Sequence, residues 1–241
     1  MKLIITKENP GRPVAEYLKN RIREFGPAPQ KPFTLALPTG GTPVEMYKQL
    51  VAFYKAGELS FKNIITFNLD EYTGIDIALA QSYHSYMRRN LFDHVDMQPQ
   101  NINFPGADAA QYEDKIKSYG GIEMLICGVG TNGHIAFNEP GSPFDSRTRQ
   151  VFLAQKTIQD NSRFFGGDTN AVPKSAITMG LGTILETREI IILAAGQNKA
   201  EAVRRAMQGA RDIAWPITAL QSHKNVLLVA DTAAAGEVKD I

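Results

Sequence analysis

Asp70 and Glu71 follow the apolar segment Ile64–Leu69 directly. At the rim of such a segment desolvation raises a carboxylate's pKa, the property a general base working near neutrality needs. Adjacent acids are more often solvated turns or helix caps, so taken alone this pair is a weak signal of chemistry. A second group follows Met124–Cys127, in the run Gly128-Val129-Gly130-Thr131-Asn132-Gly133-His134-Ile135-Ala136-Phe137-Asn138-Glu139-Pro140-Gly141. Here His134 can titrate near neutrality, and Glu139, five residues on, can orient the imidazole and favour its protonated form. A lone histidine is often a structural residue, but Gly, Asn, His and Glu gathered in one loop after a strand favour chemistry.

A third element has the composition of an anion cradle. After Phe33–Leu37 comes Pro38-Thr39-Gly40-Gly41-Thr42-Pro43, leading into a helical pattern. Glycines let the backbone approach a ligand, and the free N–H groups and positive dipole end of the helix attract an anion, with phosphate the natural guest. A plain strand-to-helix turn would use the same residues. The spacing lacks both the lysine of a P-loop and the G-x-G-x-x-G of a dinucleotide site, so no nucleotide cofactor is expected. Arg163, in Asn161-Ser162-Arg163-Phe164-Phe165, and Lys199, after Gly196-Gln197-Asn198, supply a planar fork and a point charge that could grip a phosphate from two sides. Met46, Met87 and the Phe164-Phe165 pair read as packing. His84, His94 and His223 have no Cys or His partner at ligand spacing, and Cys127 is the single cysteine, so neither a metal site nor a disulfide is expected.

These groups need a frame that brings strand ends together. Phe33–Leu37, Ile64–Leu69, Met124–Cys127, Ile190–Ala195 and Val226–Ala230 are short, continuous apolar runs, and helical patterns lie between them. Continuous rather than alternating apolarity marks strands buried on both faces. The fold class expected is therefore α/β: an open, mostly parallel, doubly wound, Rossmann-like sheet with helices on both faces. Thr42-Pro43-Val44-Glu45 predicts a helix start with Thr42 as capping hydroxyl and Pro43 at the first helical position. Tyr47, Leu50, Val51 and Tyr54 then form one face toward the sheet. Further helices are expected near Val14–Phe25, Ser82–Phe92 and Ala200–Met207. Ligands of such sheets bind beyond the carboxyl ends of the strands, where the reactive residues above lie.

Composition narrows the partners. With 26 Lys+Arg against 25 Asp+Glu the formal charge is +1, so nothing draws the chain broadly to nucleic acid or an anionic membrane. At 43% hydrophobic and 21% charged, residues 1–241 read as one globular domain, without a linker or repeat. The N-terminus has too few apolar residues for a signal peptide, and the longest apolar run, Ile190–Ala195, is far below the roughly 20 residues that span a bilayer. A cytoplasmic setting is expected, and homo-oligomerisation is left open.

Taken in order, Pro38-Thr39-Gly40-Gly41-Thr42-Pro43, Phe67-Asn68-Leu69-Asp70-Glu71-Tyr72, Gly133 through Pro140, Asn161 through Phe165 and Lys199-Ala200 resemble the glucosamine-6-phosphate deaminases. The resemblance runs from about Leu3 to Ala230; the related 6-phosphogluconolactonases share a Gly-His element but not its Phe-Asn-Glu-Pro continuation. It implies an isomerising deaminase, classed as a hydrolase of an amino sugar, that uses no metal or organic cofactor. Its implied site residues are Asp70 as the base at C2, His134 for ring opening with Glu139 orienting it, and Asn132 where many members have Asp. Thr39, Gly40, Gly41, Thr42, Arg163 and Lys199 would hold the substrate phosphate. A lactonase-like hydrolase and a non-catalytic sugar-phosphate sensor are the alternatives. Regulated members continue further past the position of Ala230 and are more basic around Val151, so activation by an N-acetylated sugar phosphate is not expected. Pro140–Asp160 reads as a loop-like candidate lid.

Overall fold

A computed structural model describes residues 1–239. In chain order its elements are β1 (Lys2–Thr6), α1 (Gly11–Phe25), β2 (Phe33–Leu37), α2 (Val44–Lys55), β3 (Ile64–Asn68), β4 (Asp70–Tyr72), α3 (Tyr83–Asn90), β5 (Ile102–Asn103), α4 (Ala109–Ser118), β6 (Met124–Gly128), β7 (Arg149–Phe152), α5 (Gln155–Asn161), β8 (Ser175–Thr178), α6 (Leu181–Leu185), β9 (Glu189–Ala194), α7 (Ala200–Gln208) and β10 (Val226–Asp231). Seven strands form the main sheet in the order β1-β10-β9-β6-β2-β3-β5, each pair parallel. The α/β reading holds.

Continuous apolarity in the central strands serves two cores at once. In β6, Met124 and Ile126 join the core beneath α1, α2 and α3, while Leu125 and Cys127 join the one beneath α4, α6 and α7. In β9, Ile191 and Leu193 face the first, and Ile190, Ile192 and Ala194 the second. Successive residues of a strand point to opposite faces, so a sheet covered by helices on both sides needs apolar residues at every position.

Several boundaries differ from expectation. Helix α1 begins at Gly11 rather than near Val14; its backbone lies so close to α2 that a Cβ on Gly11 would sit 2.6 Å from the Met46 amide nitrogen. Helix α2 begins at Val44, with Pro43 as N-cap and no side-chain capping bond, so Thr42 is not the cap. Met46, Tyr47 and Leu50 are its buried face, and Val51 and Tyr54 lie only partly buried.

The second sheet was not expected. Strands β4, β8 and β7 pair antiparallel in that order, with Asp70 opposite Thr178 and Arg149 also opposite Thr178 across the other edge. Its strands are short and polar, and their pairing joins distant parts of the chain. Pro140–Asp160 is accordingly not one loop: it contains β7 and most of α5. Among the described residues no helix is long and apolar enough to cross a membrane.

Candidate active site

From β2 the connections run through β3 to β5 in one direction, and from β6 through β9 to β10 in the other, so the order reverses between neighbours β2 and β6. A crevice opens at such a switch point beyond the strands' carboxyl ends. A cavity of about 430 Å³ lies there, lined by the loop after β2, the loop after β6, and residues of α3 and α5.

Thr39, Gly40, Gly41 and Thr42 form one wall. Two phenols pull the carbonyls of this loop away: Tyr47 donates to Pro38 O at 2.5 Å and Tyr86 to Gly40 O at 2.6 Å. Gly40 has φ +101°, a conformation that suits glycine. Because α2 lacks a side-chain cap, no side chain occupies its first N–H groups, which suits an anion.

Asp70 lines the same cavity at 7% exposure. Burial, reinforced by the charge of Glu71, pushes its carboxyl from the ordinary 3.8 up to about 8. Glu71 points elsewhere: it accepts from the amides of Tyr72 at 2.9 Å and of Tyr83 and His84 at 3.1 Å, and it meets His84 Nδ1 at 2.9 Å. The acidic pair thus divides, one carboxylate facing the cavity and the other holding the start of α3.

His134 also lines the cavity, while Asn132 and Glu139 stand behind it. Its Nδ1 is 2.7 Å from Asn132 Oδ1, and Asn132 Nδ2 donates to Glu139 Oε2 at 2.8 Å. A carboxylate only accepts, so the amide nitrogen must face Glu139, its oxygen must face the imidazole, and Nδ1 must carry a proton. Nε2 is left as the acceptor. Glu139 does not orient the imidazole directly, its Oε2 lying 3.7 Å from Nδ1; it acts through Asn132. Nor is the protonated form favoured. Burial lowers the His134 pKa, outweighing the pull of Glu139, and Lys199 adds to the lowering.

Backbone conformation fixes this arrangement. Gly130 N donates to His134 O at 2.9 Å, and a Cβ on Gly130 would lie 2.1 Å from the imidazole Cε1. Only glycine leaves room for the ring. Ala136, which lines the cavity, has φ +52°, held by Phe137 N donating to Thr178 Oγ1 and by Asn138 Nδ2 donating to Ile135 O at 3.0 Å and Met179 O at 2.8 Å.

Arg163 and Lys199 reach the cavity from the turn after α5 and the turn before α7. Burial lowers the Lys199 pKa, and the neighbouring Arg163 charge adds to that. Phe164 is not a packing residue as expected: it is 45% exposed, lines the cavity, and lies beneath the Arg163 guanidinium at 4.7 Å. Phe165 does pack, against Tyr72.

Sequence reasoning passed over Tyr72, Tyr83, Thr157, Asp160 and Asn161, all on the cavity wall. Asn161 Nδ2 donates to Tyr72 Oη at 2.9 Å, and Tyr83 stacks on Phe137 at 6.1 Å. Aromatic residues after a strand resemble core, and Thr157 carries no local signal. The only available hint was the presence of Asn161 beside Arg163. Among the described residues no group of three or more His, Cys, Asp or Glu is placed to hold a metal ion. What the cavity offers is a carboxyl poised near neutrality, a neutral imidazole acceptor and three cations, Arg163, Lys199 and the Arg89 of α3 that sequence reasoning also passed over.

The family model of glucosamine-6-phosphate isomerases/6-phosphogluconolactonase matches residues 6–229. The chain is 48% identical to the glucosamine-6-phosphate deaminase of Yersinia enterocolitica, covering 99% of this chain and 93% of that one. It is 49% identical to the one of Pasteurella multocida, covering 93% and 87%. A solved structure of a monomeric glucosamine-6-phosphate deaminase superposes with a TM-score of 0.92 at 37% identity, covering 98% of this chain and all of that one. The 6-phosphogluconolactonase of Leishmania guyanensis shares the fold, with a TM-score of 0.75 at 18% identity over 99% of both chains. A cavity built from the ends of β2, β3, β6 and β9, on a chain matched over nearly its full length, places this protein in the glucosamine-6-phosphate isomerase/6-phosphogluconolactonase family.

Proposed function

We propose that the protein converts glucosamine 6-phosphate and water into fructose 6-phosphate and ammonia. What carries this reading is that Asp70, His134, Arg163 and Lys199 share the wall of one cavity, in a chain similar over its length to proteins named for that reaction. The Thr39–Thr42 loop, Arg163 and Lys199 take the phosphate, so binding energy remote from the reacting carbons places C2 against Asp70. Neutral His134 takes the proton of the C1 hydroxyl through Nε2 and returns it to the ring oxygen, opening the ring to the aldehyde. Asp70 removes the C2 proton while the aldehyde oxygen takes a proton from solvent, which gives the enolamine, and Asp70 then delivers its proton to C1. Water adds to the resulting C2 iminium, ammonia leaves, and the C2 ketone remains. One carboxyl can make both transfers because a pKa of about 8 suits it to accept and to return a proton near neutrality.

Incubation with glucosamine 6-phosphate should release ammonia and fructose 6-phosphate in equal amounts. Asp70→Asn should lower kcat by about 10²-fold or more, with KM little changed. Hydrolysis of a 6-phosphogluconolactone without ammonia from the amino sugar would overturn the reading.

A further inference from the structure

We propose that Thr157 is a positioning residue: through Glu139 and Asn132 it holds His134 in its Nδ1–H tautomer, and it ties that relay to the segment carrying Arg163. The inference rests on the function proposed above and adds a member to its machinery. Thr157 lies on α5 at 6% exposure, and its hydroxyl donates to Glu139 Oε1. Glu139 Oε2 accepts from Asn132 Nδ2. Each oxygen of the carboxylate therefore has its own donor, and the group cannot rotate without breaking one of the two bonds.

The chemical importance lies in which way the Asn132 amide points. While Glu139 is pinned, Asn132 must show its oxygen to the imidazole, Nδ1 keeps the proton, and Nε2 remains an acceptor toward the cavity. Release of Glu139 removes the shorter of the two holds on that orientation and leaves only the His134 amide, which donates to Asn132 Oδ1 at 3.3 Å. A flipped amide would offer Nδ2 to Nδ1, move the ring proton to Nε2, and turn the group that must accept a proton into one that cannot. The charged groups facing the imidazole are Glu139 on its own loop, Asp160 on α5 and Lys199 before α7. None of them dictates a tautomer as the amide does. Helix α5 continues directly into the turn Ser162–Phe164, so the phosphate-facing Arg163 and the hydroxyl that pins Glu139 belong to one continuous piece of backbone.

The test compares Thr157→Val, which keeps the shape without the hydroxyl, with Thr157→Ser, which keeps the hydroxyl. Ring ¹⁵N NMR of His134, recorded above its titration range, should show the Nδ1–H form in wild type and Thr157→Ser, and a mixture of tautomers in Thr157→Val. With glucosamine 6-phosphate, Thr157→Val should lose about ten- to a hundredfold in kcat with KM within about twofold, and Thr157→Ser should recover most of that loss. In a Glu139→Gln background the Thr157→Val change should cost less than about twofold more, since its effect passes through that carboxylate. An unchanged tautomer in folded Thr157→Val, a serine variant as impaired as the valine one, or losses that add in the double variant would each overturn the role of Thr157. A wild type that released no ammonia would overturn the functional reading instead, and the ring spectra would still decide on Thr157.

Discussion

Asn132 donates through Nδ2 to Glu139 at 2.8 Å, and this bond, together with the His134 amide donating to Asn132 Oδ1 at 3.3 Å, settles which end of the Asn132 amide meets His134. Residue 132 thus lies between Glu139 and the imidazole as a neutral amide, bonded to both and bringing no second negative charge to the ring.

Asn132→Asp removes that donor and sets a carboxylate against Glu139 on one side and His134 on the other. Added negative charge stabilises imidazolium, so the His134 pKa should rise by about one unit or more. Because the proposed ring opening uses neutral His134, the acid limb of the kcat/KM profile should move upward with it. NMR titration of the ring alongside the pH profile checks both shifts, and if neither moved, residue 132 would have no hold on the imidazole.

The raised Asp70 pKa implies a stability trend opposite to that of a salt-bridged carboxylate. The folded chain keeps this proton up to about pH 8, whereas the unfolded chain releases it near the ordinary 3.8. Between those values the folded state binds more protons, so this group's contribution to stability is full at low pH and declines as pH rises. Asp70→Asn cannot ionise. Its melting temperature should exceed that of wild type at pH 9, with the gap shrinking toward pH 5; calorimetry across that range would show it, and a gap that widened toward pH 5 would contradict the buried state of the carboxyl.

If Arg163 and Lys199 hold the phosphate as proposed, Arg163→Ala and Lys199→Ala each delete a charge-assisted contact worth about 1.5–3 kcal/mol. KM for glucosamine 6-phosphate should rise about tenfold or more, with a smaller change in kcat. Unphosphorylated glucosamine supplies the control, because its turnover should be nearly indifferent to either variant. Equal losses on both substrates would place the phosphate elsewhere.

Glu71→Ala leaves the amides of Tyr72, Tyr83 and His84 without the acceptor they share. Unpaired buried donors cost about 1–3 kcal/mol, so urea unfolding should show a loss of at least about 2 kcal/mol. The variant should also lower the Asp70 pKa, since Glu71 is the charge that adds to its burial.

The chain's own order determined the frame and most of the site. Apolar runs without alternation identified β2, β3, β6, β9 and β10, because a strand covered on both faces must be apolar throughout. The rule that ligands sit past the carboxyl ends then singled out Thr39–Thr42, Asp70, His134 and Lys199, all of which face the cavity. Tertiary structure decided what no local pattern encodes. Strands β4, β7 and β8 are short and polar, and they exist as strands because they pair with one another. Glu71 was indistinguishable from Asp70 until the start of α3 arrived to claim it. Thr157 meets Glu139 across 18 residues and Asn161 meets Tyr72 across 89, contacts made only once α5 has packed over the cavity. Even the state of His134 was a matter of three dimensions. A nearby carboxylate predicts a protonated ring, but burial costs the imidazolium more than Glu139 returns through an intervening amide, so the folded site holds the ring neutral.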